Sequence, residues 1–188
     1  DLARIVLEGG GGGQKRESYE LAMYFMARHT SLDSMVKRGR RGYLFLIGDE
    51  MPYPRINPAE VRKFIGDRTE AISTEAMIAE LRRSYDVYYI MPTAAGWGGD
   101  AEILGRWRAL LGQNVLELDD LDAVCETIAL TVGLGEDAID LDEGLADLVE
   151  VGSAAGASVG KALAPLQRGA VVRTTVEVGD AGSPNVRL

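Results

Sequence analysis

The chain has 188 residues, of which 46% are hydrophobic and 26% are charged, and its formal net charge is −9. A chain of this length and composition can bury a sizeable core, and its acidic balance argues against general binding to nucleic acid, whose phosphates attract Lys and Arg. No apolar run approaches the length of a membrane span, and no signal peptide is visible, so a membrane partner is not expected.

Short apolar runs alternate with longer amphipathic stretches, which is typical of repeated β-α units. The predicted strands lie at 3–7, 42–47, 87–91 and 115–118, and the predicted helices at 17–28, 58–65, 74–83, 101–111 and 120–132. The second strand, GYLFLI, is apolar throughout, as expected for a central parallel strand covered on both faces. This order predicts a doubly wound, Rossmann-like α/β fold with a mostly parallel sheet and helices on both faces.

Polar residues stand where helix caps are needed. The predicted N-caps are Asn57 before Pro58, Ser73 or Thr74, Asp100, and Asp119 or Asp120. Gly133 marks a predicted boundary, which divides the chain into an α/β domain at 1–134 and a C-terminal extension at 135–188. The extension is expected to be helical at 140–151 and 153–166, with an edge strand at 170–178 and a tail.

Cys125 and His29 are the only residues of their types. A single cysteine excludes an internal disulfide, so a reducing, cytoplasmic compartment is expected. Cys125 lies in an apolar helical pattern, which predicts a buried and inert thiol. A Ser-His-Asp triad or a His-rich zinc site would depend on His29, and the pattern around it favours neither.

The glycine run from Gly9 to Gly13 follows the first predicted strand. Glycines let backbone N–H groups approach an anion at a helix N-terminus. The P-loop spacing fails, because Gln14, Lys15 and Arg16 follow the run, and Gln14 also replaces the third glycine of a dinucleotide fingerprint. A nucleotide or phosphate-ester enzyme that uses this loop, with Mg²⁺ on Asp49, is the alternative interpretation, and a plain turned loop is the simpler one.

The carboxyl ends of parallel strands are where ligands bind in such sheets. Asp49 follows the apolar strand at 42–47, where a carboxylate can hold a divalent cation or merely close a loop. Glu50 adds a second carboxylate, and Ser18 opens the first helix, where its simpler role is a cap. Thr93 and Trp97 lie in the loop after the third strand, and Trp97 either anchors a partner or folds back as a lid, which is slightly favoured.

Three segments resemble a von Willebrand factor type A (vWA) domain of the bacterial intracellular type. They are LEGGGGGQKRESYELAMYFMARHT (7–30), RRGYLFLIGDE (40–50) and YDVYYIMPT (85–93), and the resemblance covers the later part of that fold, over about 1–134. It implies a protein-interaction module, not an enzyme, with a metal-ion-dependent adhesion site (MIDAS) for Mg²⁺ (or Ca²⁺ or Mn²⁺). Asp49 matches the last Asp of that site, Ser18 is the best match for its Thr, and Gln14 is a weaker candidate.

The resemblance has one clear departure. The Asp-x-Ser-x-Ser segment of the family is missing, and Asp33-Ser34-Met35 has the wrong neighbours. The site is therefore incomplete or degenerate, and in the second case the chain would be a scaffold. We expect upstream sequence or another chain to complete the sheet, and Glu50, Thr93 and Trp97 to face a protein partner. The family implies an ATPase or another effector as that partner.

Overall fold

The structure is a computed structural model that describes residues 14–167. The strand predicted at 3–7, the glycine run and the edge strand predicted at 170–178 lie outside the described residues.

Five strands and eight α-helices make up the described part of the chain. The strands are β1 (Arg16–Glu17), β2 (Gly42–Ile47), β3 (Met51–Pro52), β4 (Tyr85–Pro92) and β5 (Val115–Leu118). The helices are α1 (Tyr19–Arg28), α2 (Asp33–Arg38), α3 (Pro58–Glu60), α4 (Thr74–Leu81), α5 (Ala101–Leu111), α6 (Val124–Gly135), α7 (Leu141–Glu150) and α8 (Gly156–Gln167). A π-helical turn, Val61–Ile65, continues α3, and a 3-10 turn, Leu121–Ala123, precedes α6. None of the helices at 14–167 is long and apolar enough to cross a membrane.

The main sheet has three parallel strands in the order β2-β4-β5. Its central strand, β4, is almost entirely buried, because helices cover both faces of the sheet. On one face α1, α4 and α5 pack against residues such as Val87 and Tyr89. On the other face α7 and α8 pack against residues such as Tyr88 and Ile90. The predicted α/β class, with a parallel sheet between two helical layers, is therefore confirmed.

Local sequence signals predict several elements well. Strands β2 and β5 have the predicted bounds, but within residues 14–167 β2 lies at one end of the three-stranded sheet and is only half-buried, whereas the central strand is β4. Asn57, Ser73 and Asp100 accept backbone hydrogen bonds at the starts of α3, α4 and α5, and Asp120 caps the 3-10 turn. Strand β4 is longer than predicted, because it begins at Tyr85. Asp86, the charged residue in this added part, forms an ion pair with Arg41 at 2.8 Å.

Two elements depart from the prediction, and the first does so through a contact that is distant in sequence. The first helix begins at Tyr19 instead of residue 17, because β1 pairs with β3. Helix α2 was not predicted, and it ends at Gly39, whose φ of 63° is in the left-handed region that glycine adopts readily.

The prediction of a buried Cys125 thiol is wrong, because Cys125 is exposed. The buried positions of this helical stretch recur every four residues, at Ala123, Thr127, Thr131 and Gly135. Gly133, the predicted boundary, lies inside α6. The division at residue 134 stays a prediction, and the structure adds that α8, from the predicted extension, packs against the sheet.

The carboxylate of Asp67 ties the loop after the π-helical turn to the end of α1. It accepts a hydrogen bond from the Tyr24 hydroxyl at 3.0 Å and lies 2.6 Å from Nε2 of His29. The hydrogen bond from His29, followed by that from Tyr24, lowers the pKa of the Asp67 carboxyl.

We expect Asp67→Asn to reduce the free energy of unfolding near neutral pH. A carboxyl whose pKa is lowered by folding stabilises the protein above its unfolded pKa, and this contribution is lost as the pH falls through the folded pKa. In urea unfolding, the difference from the parent chain should therefore shrink as the pH falls below about 4. Asp147→Asn, at an exposed position of α7, is the control and should leave the free energy of unfolding close to that of the parent chain.

Candidate functional site

The candidate site lies at the carboxyl edge of the sheet. The register pairs Ile47 with Ile90 and Pro92 with Leu118, so the loops that follow β2, β4 and β5 leave the sheet at the same edge. The short pair of β1 and β3 adds the segment before α1 to the same region, since β3 follows β2 by only a few residues.

Asp49 and Trp97 come together at this edge. The backbone N–H of Trp97 donates a hydrogen bond to Oδ2 of Asp49 at 2.9 Å. Asp49 is half-buried, and among residues 14–167 no donor contacts its Oδ1. The indole of Trp97 is partly buried and packs against the core, which is the folded-back position. The carboxylate is therefore held by one oxygen, and its other oxygen can take a ligand.

Lys15 joins the segment before α1 to the loop after β4. Its Nζ lies 2.8 Å from Oδ2 of Asp100, 3.5 Å from Oε2 of Glu102 and 4.9 Å from the centroid of the Trp97 ring. Its carbonyl oxygen accepts a hydrogen bond from the N–H of Met51 at 2.9 Å. The hydrogen bond with Asp100 raises the pKa of Lys15 and lowers that of Asp100. Lys15 is thus a fixed cation that connects three segments.

We expect Lys15→Met to loosen the Trp97 loop. Methionine has a similar length but cannot form the ion pairs or the cation–π contact. Quenching of tryptophan fluorescence by acrylamide should increase, and the change must come from Trp97 because Trp107 is fully buried. Lys63→Met, which removes a cation–π contact on Phe64 instead, should leave the quenching unchanged.

Three aromatic rings support the loop that carries Asp49. Trp107 stacks on Tyr89 with a centroid distance of 4.0 Å, and Tyr19 meets both rings edge-on. The carbonyl of Glu50 accepts hydrogen bonds from Nε1 of Trp107 at 2.8 Å and from the Tyr89 hydroxyl at 3.1 Å. Burial raises the pKa of the Tyr19 and Tyr89 phenols, so both stay protonated. These contacts fix the backbone next to Asp49.

The hydroxyl of Tyr19 lies against Gly48, the first residue after β2. A methyl group at Gly48 would overlap that hydroxyl, so the position has room only for glycine. The hydroxyl is buried and has no hydrogen-bond partner of good geometry within the described residues. A buried hydroxyl without a partner costs about 1–3 kcal/mol, so this contact is one of close packing and not of attraction.

The remaining predicted residues occupy different positions around the edge. Ser18 stands at the N-cap of α1, but its side chain does not form a capping hydrogen bond. Gln14 is exposed, and Glu50 is half-buried. The N–H of Thr93 donates to the carbonyl of Leu118 at 2.8 Å, which extends the pairing of β4 and β5.

The donor set at Asp49 matches a divalent cation only in part. No group of three His, Cys, Asp or Glu side chains at 14–167 is arranged to hold a metal ion. Asp49 offers one carboxylate, and Ser18 and Gln14 could add only neutral oxygens. Mg²⁺ usually keeps several waters and uses one or two protein carboxylates, so these residues fit an open and weak Mg²⁺ site and not a closed one.

Sequence reasoning missed the residues that support Asp49. Asp100 was predicted only as a helix cap, and its second role as the partner of Lys15 has no local signal. Tyr19 and Trp107 lie in amphipathic helices, where an aromatic residue indicates core packing but not which loop it supports. In the sequence, only the glycine next to Asp49, Gly48, indicated that another residue packs closely against this loop.

No family model, curated protein or solved structure matches the chain. The resemblance to vWA domains therefore stays a prediction.

Proposed function

We propose that the chain is a protein-interaction module of the vWA type that binds its partner at the carboxyl edge of the sheet, with help from a divalent cation. It is not an enzyme in this proposal. The observation that carries it is the half-buried Asp49 carboxylate, which Trp97 holds by one oxygen while the other oxygen has no donor within residues 14–167.

The cation in this proposal is Mg²⁺, with Ca²⁺ or Mn²⁺ as substitutes. Asp49 would hold it directly or through water, and Ser18 and Gln14 would be further ligands. A bound cation attracts a carboxylate of the partner. Glu50, Thr93 and Trp97 would border the contact, and an aromatic residue such as Trp97 is a frequent anchor in interfaces.

The fixed position of Lys15 supports a binding surface more than the alternative enzyme. A phosphate-binding loop at Gly9 to Gly13 would draw on the adjacent lysine for charge. The amine of Lys15 already contacts Asp100 and Glu102, and those contacts would have to break. The phosphate-ester enzyme is therefore the second candidate, and turnover of a nucleotide by the chain would establish it.

The outer edge of β2 supports a second part of the proposal, in which upstream sequence or another chain completes the sheet. Gly42 donates to the carbonyl of Ser84, just before β4, at 2.9 Å, and Gly48 donates to that of Ile90 at 3.1 Å, so the alternation of a parallel ladder directs the N–H groups of Phe45 and Ile47 away from β4. No strand at 14–167 pairs with that side. An apolar strand edge without charges is a ready template for another strand.

The single cysteine supports a cytoplasmic location, and the acidic charge supports a protein partner over nucleic acid. An ATPase or another effector is the partner that the resemblance implies. The proposal is tested by calorimetric titration of Mg²⁺ and Mn²⁺ into the chain and into its Asp49→Ala variant.

A further inference from the structure

A small apolar groove lies between α1, α2 and the start of β4. Met26, Leu32, Met35, Val36, Thr30 and Tyr85 are among its lining residues, and the cavity measures about 140 Å³. Tyr85 is the first residue of β4, so the groove lies at the amino end of the sheet, opposite the candidate site.

Helix α2 forms one side of the groove. None of its six residues is buried, although Met35 and Val36 are apolar, and Val36 is 73% exposed. The ion pair between Lys37 and Asp33, one turn apart, holds the polar side of the helix in solvent. The apolar side chains of α2 therefore line a surface instead of filling the core.

The groove has the size and chemistry for one aliphatic side chain. A cavity of about 150 Å³ can hold a molecule as large as benzene. Two of the four hydroxyl-bearing lining residues have partners inside the groove, since Thr30 and Tyr85 lie 2.6 Å apart and Thr30 donates to the carbonyl of Met26. An apolar occupant leaves both of these hydrogen bonds in place, and the methionine, leucine and valine side chains of the lining favour a leucine- or methionine-like group.

Cations are next to the lining residues in the sequence. Lys37 and Arg38 follow Val36 directly, and Arg83 precedes Ser84, another lining residue. Arg38 and Arg83 are exposed and form no ion pair within 4.0 Å of any residue from 14 to 167, although the charge of Arg83 helps to lower the pKa of the Glu80 carboxyl. This local positive charge stands out in a chain whose net charge is −9. Exposed cations beside an apolar groove complement a segment that carries both carboxylates and an aliphatic residue.

We propose that this groove binds an acidic segment of a protein partner and takes up one of its aliphatic side chains. The aliphatic group would lie between Met26, Met35 and Val36, and carboxylates of the segment would face Arg38 and Arg83. This second surface is independent of the Asp49 site, because the two lie at opposite ends of the strands.

The test uses the full chain with ¹³C-labelled methionine methyl groups. Two synthetic peptides are added in turn, one built of glutamate and leucine and the other of lysine and leucine. The acidic peptide should shift the methyl signals of Met26 and Met35 and leave that of buried Met77, in α4, in place. Its binding should weaken as salt is added, because the charges are exposed. The basic peptide should cause no saturable shift.

Val36→Glu should weaken binding of the acidic peptide about tenfold or more, since it places a like charge in the groove. Val149→Glu is the matched control, because Val149 is 72% exposed on α7, and it should leave the affinity unchanged. Absent shifts, equal binding of the basic peptide, or equal loss in both variants would overturn the proposal. Shifts of Met26 and Met35 on dilution of the chain alone would also overturn it, by showing a second copy in the groove.

Discussion

Calorimetric titration of Mg²⁺ is expected to show weak, saturable binding to the chain and none to the Asp49→Ala variant. The alanine removes the Asp49 carboxylate, which is the one charged ligand of the proposed cation site, and the neutral oxygens of Ser18 and Gln14 alone would hold Mg²⁺ poorly. Mn²⁺ should behave in the same way, because it prefers similar oxygen ligands. Binding to a carboxylate-bearing partner should be lost in the variant and when EDTA is added.

Asp49→Asn separates the loss of charge from the loss of structure. The amide oxygen can still accept the N–H of Trp97, so the loop should keep its shape while cation binding is lost. Asp122→Ala, which removes an exposed carboxylate in the 3-10 turn, should bind Mg²⁺ like the parent chain. If the parent chain does not bind either cation, the cation part of the proposed function fails. Partner binding that survives Asp49→Ala would identify a scaffold.

The parts of the fold that sequence reasoning predicts are those with local signals. Strand β2 is marked by an uninterrupted apolar run, and α5 by Asp100 followed by helical spacing. The pairing of β1 with β3 has no such signal, because both are two residues long and lie more than thirty positions apart. Helix α2 was missed for another reason, since a helix without a buried face has no apolar periodicity.

In the candidate site, too, some residues have a local sequence signal and others do not. The position of Asp49 after an apolar strand predicts that it reaches the carboxyl edge, and the structure places it there beside Trp97. The contacts that fix both residues come from Lys15 and Tyr19, which are far from them in sequence. Sequence reasoning therefore identifies the residue that could carry the chemistry better than the residues that hold it in position.

Gly48→Ala is expected to destabilise the chain by about 1–3 kcal/mol, the usual cost of overpacking a well-packed site. Gly48 does not have a positive φ, so alanine brings no backbone strain and the cost is purely steric. The added methyl group would overlap the Tyr19 hydroxyl and lie 2.9 Å from Cζ of the ring. Urea unfolding measures the change. Gly105→Ala on α5 is the control, because nothing lies within 4 Å of its added methyl group, and it should stabilise slightly.

Tyr19→Phe tests whether overlap with the Tyr19 hydroxyl causes the destabilisation by Gly48→Ala. Removal of a buried hydroxyl that has no hydrogen-bond partner of good geometry at 14–167 should be neutral or stabilising. In the double variant, Gly48→Ala should cost less than it does alone, with some cost left because the ring carbon stays close. The coupling between the two changes follows from a double-mutant cycle. Additive effects would show that Tyr19 does not set the position of Gly48, and the support that the aromatic rings give to Asp49 would then rest on Trp107 and Tyr89 alone.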